Sequence, residues 1–260
     1  MRRLRRLARQ RSARRGEGAF VAEGAKIVAA ALDAGADIEG VYVAPEASRG
    51  HFATEVVDRA RLAGIRVFAL EAGVIERVAD ATTPQPLIAV VRATDAPLES
   101  VEEMALVFVL IDVRDPGNIG AILRVADAAG AGVICGDGSA DVYNPKTVRA
   151  SAGAIFSVPM VVGGLADVLL RSLRATGFRI VGTAARDGVD YAAASFGQKT
   201  ALVFGNEASG IDDSVTAFLD ATVTVPMAGR TESLNVATAA AVLAFELVRR
   251  RRPASSDAVR

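Results

Sequence analysis

The sequence predicts an α/β protein: a small α/β unit followed by a larger one built on a parallel sheet. Three observations carry this. Short apolar runs alternate along the chain with helical patterns. The later runs are continuously apolar, as strands covered by helices on both faces are. A polar, acidic stretch containing Pro97 (ATDAPLESVEEM, 93–104) divides the two regions.

In the first region Phe20 to Ala22 reads as a strand, Gly24 to Ala34 as a helix stopped at Gly35, and Val41 to Val43 as a strand. Thr54 to Leu62 is a helix ended by Gly64, Arg66 to Leu70 a strand, and about Val74 to Ala79 a further helix. Pro84 and Pro86 then punctuate the chain before a strand from Leu87 to Val91. In the second region the strand runs are Leu106 to Val113, Val133 to Cys135, Arg179 to Gly182, Ala201 to Phe204 and Ala221 to Val225. Between and after them lie helical patterns at Ile119 to Ala129, Leu165 to Ala175, Asp213 to Phe218 and Val236 to Arg250.

A chain of 260 residues with 51% hydrophobic residues and a mean hydropathy of +0.31 has the length and composition to bury a sizeable core. Lys and Arg balance Asp and Glu at 30 each, so net charge argues neither for nor against nucleic acid; its distribution does. Residues 1–15 hold Arg2, Arg3, Arg5, Arg6, Arg9, Arg11, Arg14 and Arg15 and no acid. Such a run reads equally as an RNA-contacting arm, gaining affinity by counterion release, or as a solvated, frayed terminus. A second run, Arg249 to Arg252, ends the last helical pattern.

Cys135 is the only cysteine, which excludes an internal disulfide, and with His51 the only histidine a zinc site is not expected. Both read as structural. No apolar run is long enough to span a bilayer, and no signal-type stretch follows the basic N-terminus. The cytoplasm is the expected location, with an Arg-rich organellar leader as the alternative.

Parallel α/β sheets bind ligands at the carboxyl ends of their strands. Gly136 to Asp141 begins like a dinucleotide fingerprint, but its sixth position is Asp141 and Pro145 follows, so it reads as a turn. Three other strand ends carry more. After the first, Pro116-Gly117 turns the chain, Asn118 stands where a helix cap belongs, and the helix buries Ile122, Val125 and Ala129. Arg124 lies off that stripe beside Gly120, Ala121 and Ala128, free to reach a ligand or to pair with Asp127. After the second come Gly205, Asn206, Glu207 and Gly210, a ligand approach or an ordinary turn before a helix capped by Asp212 or Asp213. After the third, Pro226 ends a strand and Ser233 can cap a helix that buries Val236, Ala239, Ala240, Leu243 and Leu247. Each alone is explained as strand, turn and capped helix.

In this order they resemble the SPOUT superfamily, specifically the SpoU (TrmH-like) class of RNA 2′-O-ribose methyltransferases. The matching segments are DPGNIGAILRVADAAG at 115–130, LVFGNEASGI at 202–211 and VPMAGRTESLNVATAAA at 225–241, with DVYNPKTVRASAGAIFSVP at 141–159 also typical. FVAEGAKIV at 20–28 and TPQPLIAVV at 83–91 resemble more loosely the substrate-binding domain that precedes this catalytic domain, with Pro86 where the family has Gly.

The resemblance implies a basic arm (1–15), an RNA substrate-binding domain (16–95), a methyltransferase domain with a C-terminal trefoil knot (104–253) and a tail (254–260). It implies S-adenosylmethionine as cofactor, seated by Thr183, Gly205, Val225, Met227 and Leu234, no metal, no membrane, and a homodimer whose interface completes the RNA site. Arg124 would orient the ribose hydroxyl and stabilise developing charge, with direct proton abstraction as the alternative, Asn118 would shape the pocket beside it, and Glu207 would anchor its motif or the partner subunit. Ser233 and Asn235 would position Arg124 and the nucleotide. Ribosomal RNA is the leading substrate and transfer RNA the second. The competing readings are a non-catalytic RNA-binding protein on this fold, a nicotinamide-dependent oxidoreductase, against which the broken glycine fingerprint stands, and a purely structural scaffold, which gives no reason for three polar, glycine-bearing strand ends.

Overall fold

The structure, a computed structural model, describes residues 1–78 and 84–252. The expected tail at 254–260, Ala79 at the end of the third predicted helix, and Thr83 of the segment at 83–91 lie outside the described residues.

The chain falls into two compact units, the first formed by Met1–Asp95, Ile119–Arg124 and Ala140–Ser157 and the second by the rest. The first unit opens with helices α1 (Arg2–Arg9) and α2 (Arg11–Glu17). There follow β1 (Ala19–Glu23), α3 (Ala25–Asp33), β2 (Ile38–Val43), α4 (His51–Leu62), β3 (Val67–Ala69), α5 (Val74–Val78) and β4 (Leu87–Arg92). The four strands form one sheet in the order β1-β4-β2-β3, antiparallel except for β2 with β3.

Residues 1–15, expected as an arm, are folded. Leu4, Leu7 and Ala8 share one face of α1 at helical spacing and are buried in a cluster with Ala13, Val21, Ile75, Ile88 and Val90. Arg14 is buried too. Its guanidinium pairs with the Asp141 carboxylate at 2.6 Å and donates to the Leu7 and Ala8 carbonyls at 2.7 and 3.3 Å, closing the carboxyl end of α1. Glu23, also buried, pairs with Arg149 at 2.9 Å and accepts from the Gln85 amide, which fixes the chain just before Pro86.

The second unit holds α6 (Glu99–Glu102), β5 (Leu106–Leu110), the two ends of α7 (Pro116–Ala129) and β6 (Gly132–Cys135). The helix α8 (Pro145–Ser151) belongs to the first unit, as do residues 119–124 of α7. Gly120 is required there: a Cβ would lie 2.5 Å from both the Ala150 methyl and the Thr147 carbonyl. The second unit continues with β7 (Met160–Val162), α9 (Ala166–Ala175), β8 (Arg179–Thr183), β9 (Val189–Asp190), β10 (Thr200–Phe204), α10 (Asp213–Thr216), β11 (Ala221–Thr224) and α11 (Val236–Arg251).

Seven strands form a sheet in the order β7-β6-β5-β10-β8-β11-β9, and every neighbouring pair is parallel. The parallel sheet expected from the continuous apolar runs is therefore present, and β5, β6, β8, β10 and β11 occupy their expected places. One expected strand end and one expected buried face are corrected. The first strand stops at Leu110 rather than Val113, because Asp112 takes a left-handed backbone (φ 56°) that no strand can continue. The stripe buried by α7 is Ile119, Ile122, Leu123 and Ala126, with Val125 and Ala129 only partly covered.

The strand order creates a switch point. From β5 the chain runs outward through β6 and β7, then returns to build β8, β10 and β11 on the other side. The loops leaving β5 and β10 thus lie side by side, with Leu110 in register with Phe204. A crevice at such a reversal is where parallel α/β sheets take ligands.

Candidate active site

Three strand-to-helix loops meet at that crevice, and capping chemistry decides where each side chain points. The cap of α7 is Asp115, not Asn118: its carboxylate accepts from the Gly117 and Asn118 amides at 2.5 and 3.3 Å, with Pro116 in the first helical position. Proline is favoured there because its missing N–H would be unpaired anyway and its φ is already helical. Asn118 is released from capping and turns toward Glu207. The cap of α11 is likewise Asn235 rather than Ser233, its side-chain oxygen accepting from the Ala237 and Thr238 amides. Asp212 caps α10, as one of the two expected alternatives.

These caps set the polarity of a hydrogen-bond chain. The Asn235 oxygen is committed to α11, so its Nδ2 must donate, and it does so to Asn118 Oδ1 at 2.8 Å. Asn118 Nδ2 must then donate in turn, and reaches Glu207 Oε1 at 2.8 Å. Each amide is thereby held in one orientation, as the donor and acceptor inventory requires. Glu207 also accepts from the Asp115 and Arg114 amides, both at 3.1 Å, so its carboxylate sits at the amino end of α7 where the helix dipole favours negative charge.

Partial desolvation opposes ionisation of Glu207, but hydrogen bonds from Asn118 and from the Arg114 and Asp115 amides outweigh it and hold its carboxyl below the usual glutamate value. A depressed folded value stabilises the fold at pH above the unfolded value, and the gain is lost as pH falls through the folded one. Glu207→Gln should therefore flatten the acid side of the stability–pH curve. An acid limb identical to that of the unaltered protein would remove Glu207 from this role.

Asp112, which the sequence did not mark as a site residue, joins Asn206 of the expected ligand-approach loop. Asn206 Nδ2 donates to the Asp112 carbonyl and to its carboxylate, both at 3.1 Å, joining the loop after β10 to the loop after β5. The signal was a carboxylate ending an apolar run. Beside them the backbone of Gly205 packs against that of Gly210, where a Cβ would lie 2.3 Å from the Gly210 carbonyl oxygen.

A cleft of about 770 Å³ opens at the carboxyl ends of β8, β10 and β11. All five residues expected at the cofactor (Thr183, Gly205, Val225, Met227 and Leu234) line it, together with Glu207, Ser233 and Asn235. The Thr183 hydroxyl donates to the Val203 carbonyl at 3.0 Å, leaving its oxygen as an acceptor. Arg124 stands apart from the chain of amides. It lies six residues beyond Asn118 on α7, about 9 Å further along the axis and on another face. It is exposed, and among the described residues its guanidinium takes no hydrogen bond or ion pair.

A family model described as the SpoU rRNA Methylase family matches residues 105–245, and one described as an MRM3-like substrate binding domain matches residues 1–89. The chain belongs to the SpoU rRNA methylase family. Among SpoU-type relatives, it is 37% identical over 185 residues to the Bacillus subtilis 23S rRNA (guanosine(2553)-2′-O)-methyltransferase RlmP, covering 71% of this chain and 73% of that protein. Its structure is similar to that of the AdoMet-bound rRNA methyltransferase from Sinorhizobium meliloti, with a TM-score of 0.83, 30% identity and coverage of 97% of this chain and 95% of that one. It is also similar to the SpoU methyltransferase AviRb from Streptomyces viridochromogenes in complex with AdoMet, with a TM-score of 0.82, 32% identity and coverage of 96% and 97%.

The two arginine runs differ in fate. Arg249 and Arg250 both pair with Glu246, whose carboxyl their hydrogen bonds hold down at about 2. Arg250 also donates to the Tyr191, Ala192 and Ala194 carbonyls, and Arg251 to the Ala105 and Gln198 carbonyls. These side chains tie α11 to neighbouring loops. In α1 and α2, Arg3 and Arg6 pair with Glu17, and Arg3 also with Glu39, whereas Arg2, Arg5, Arg9, Arg11 and Arg15 are exposed and take no acidic partner among the described residues.

Proposed function

We propose that this protein transfers the methyl group of S-adenosylmethionine to a ribose 2′-hydroxyl of ribosomal RNA. The observation that carries the reading is the convergence of Thr183, Gly205, Val225, Met227 and Leu234 on one cleft at the strand ends, beside the Glu207–Asn118–Asn235 chain. The cleft suits the cofactor chemically. Its size is that of a small-molecule site, apolar side chains such as Leu219, Met227 and Leu243 line it for a purine, and Asp187 and Glu207 supply negative charge for a sulfonium.

When bound, the cofactor supplies an electrophilic methyl group. The chain's own residues do the rest. The backbone around Gly205, with Val225 and Leu234, seats the adenosine; Glu207 fixes the start of α7, and Asn118 and Asn235 fix each other. Ser233 faces the nucleotide. Arg124 orients the 2′-hydroxyl and stabilises the charge that develops on its oxygen, since a guanidinium stays protonated and donates through a rigid fork. Its exposure without an internal partner leaves it available for that contact. Fixing both reactants lowers the barrier by the entropy of bringing them together.

The reading extends to a C-terminal trefoil knot, a homodimer that completes the RNA site, and a cytoplasmic location. Supporting the knot, β10 lies between β5 and β8, and residues 225–236 return to the same cleft as the loop after β10. Among the described residues no helix is long and apolar enough to cross a membrane. We assign residues 16–95 to RNA binding and 104–253 to catalysis, with the folded α1–α2 pair presenting Arg2, Arg5 and Arg9 to phosphate.

Replacing those three arginines by alanine should weaken RNA binding at all sequences and reduce the slope of log affinity against log salt by about two to three. An unaltered slope would make the helix pair a bystander. The reaction itself is tested by incubating the protein with labelled S-adenosylmethionine and unmodified ribosomal RNA, then mapping nuclease-resistant 2′-O-methyl dinucleotides. A single modified ribose is expected. Label in transfer RNA alone would change the substrate, and none in either would favour the binding-only reading.

A further inference from the structure

Beside the main cleft lies a recess of about 390 Å³ that shares Arg186, Val225 and Met227 with it and adds Arg230 and Glu232. Arg186 is the one cation on the described wall of the main cleft. It pairs with Glu232 at 3.1 Å, linking the loop after β8 to the segment after β11, and both side chains are largely exposed. An exposed pair of this kind contributes little to stability. The chain nevertheless invests in placing it. Asp187 adopts a left-handed backbone (φ 62°) without being glycine, and Gly188 packs so tightly on β11 that a Cβ would lie 2.6 Å from the Val223 carbonyl carbon. Thr224 Oγ1 donates to the Ala185 carbonyl at 3.1 Å, holding the same turn from the other side. A left-handed residue and a tightly packed glycine fix this turn beside the cleft, where such backbone is commonly held for ligand contact.

From this we infer that the Arg186–Glu232 pair is a subsite for the zwitterionic aminoacyl tail of S-adenosylmethionine: the α-carboxylate docks on Arg186 and the α-ammonium on Glu232. The inference rests on the cofactor reading above and adds to it the residues that recognise the tail. A zwitterion exchanges one ion pair for two without leaving a charge unpaired, and an Arg fork matches a carboxylate in two hydrogen bonds. The apolar, glycine-lined part of the cleft is then left to the adenosine.

The test compares S-adenosylhomocysteine with 5′-methylthioadenosine, which keeps the thioether and the nucleoside but lacks the tail, by calorimetry on the full chain. Arg186→Met and Glu232→Gln should each weaken S-adenosylhomocysteine by about five- to tenfold and leave methylthioadenosine unchanged. The decarboxylated analogue, which keeps the amine, should not distinguish Arg186→Met from the unaltered protein. Equal losses for both thioethers would mean that the pair merely shapes the cleft, and no loss for either would leave the tail in solvent; both results overturn the assignment. If the unaltered protein binds neither thioether, the cofactor reading itself fails.

Discussion

Arg124→Ala is expected to lower the methyl-transfer rate by about 10²- to 10³-fold, the usual effect of removing a donor aimed at developing oxyanion charge. Affinity for S-adenosylhomocysteine should be unchanged, because Arg124 is not among the residues lining the cofactor cleft. Stability should also hold, since the side chain is exposed and has no internal partner among the described residues. Arg124→Lys keeps the charge but loses the planar fork, so it should recover little of the rate. Single-turnover measurement with saturating cofactor separates the chemical step from binding. Turnover within a few-fold of the unaltered protein would end the catalytic assignment.

Arg14→Ala should cost the first unit about 3–5 kcal/mol, the range for removing one partner of a buried ion pair. The Arg14 side chain is 4% exposed and that of Asp141 13%. Without the guanidinium the carboxylate keeps, among the described residues, only its hydrogen bond from the Tyr143 amide at 3.0 Å, and the last carbonyls of α1 lose the Arg14 donor. Amide exchange in α1 should accelerate well before that of the parallel sheet. The double variant Arg14→Met with Asp141→Leu should recover much of the loss, because apolar replacement of both partners removes the uncompensated charge. Equal stability of Arg14→Ala and the unaltered protein in denaturant titration would show the pair to be dispensable. The same variant should weaken RNA binding, since the pair anchors the helices that carry Arg2, Arg5 and Arg9.

Local chemistry carried the sequence reading a long way. The apolar runs Leu106 to Val113 and Ala201 to Phe204 are short, rich in β-branched and aromatic residues and bounded by turn residues, which favours buried strands over helices, and their polar, glycine-bearing ends lie at the cleft. Two competing local signals leave a helix start ambiguous. Asp115 and Asn118 are both good caps, and only the preference of Pro116 for the first helical position separates them. The same ambiguity placed a cap at Ser233 instead of Asn235.

Sequence patterns could specify which residues prefer strand, helix and loop, because those preferences act over a turn or a pleat. They could not specify partners. The adjacency of β5 and β10 joins segments some ninety residues apart, and that adjacency alone brings Glu207 to the Asn118 amide and the start of α7. Nor could composition separate the two arginine runs. Both are strings of identical cations, yet one ties α11 to carbonyls and carboxylates while the other, around a buried Arg14, leaves five exposed guanidinia with no acidic partner among the described residues. A charge's role depends on which acceptors lie within reach, and long-range packing decides that.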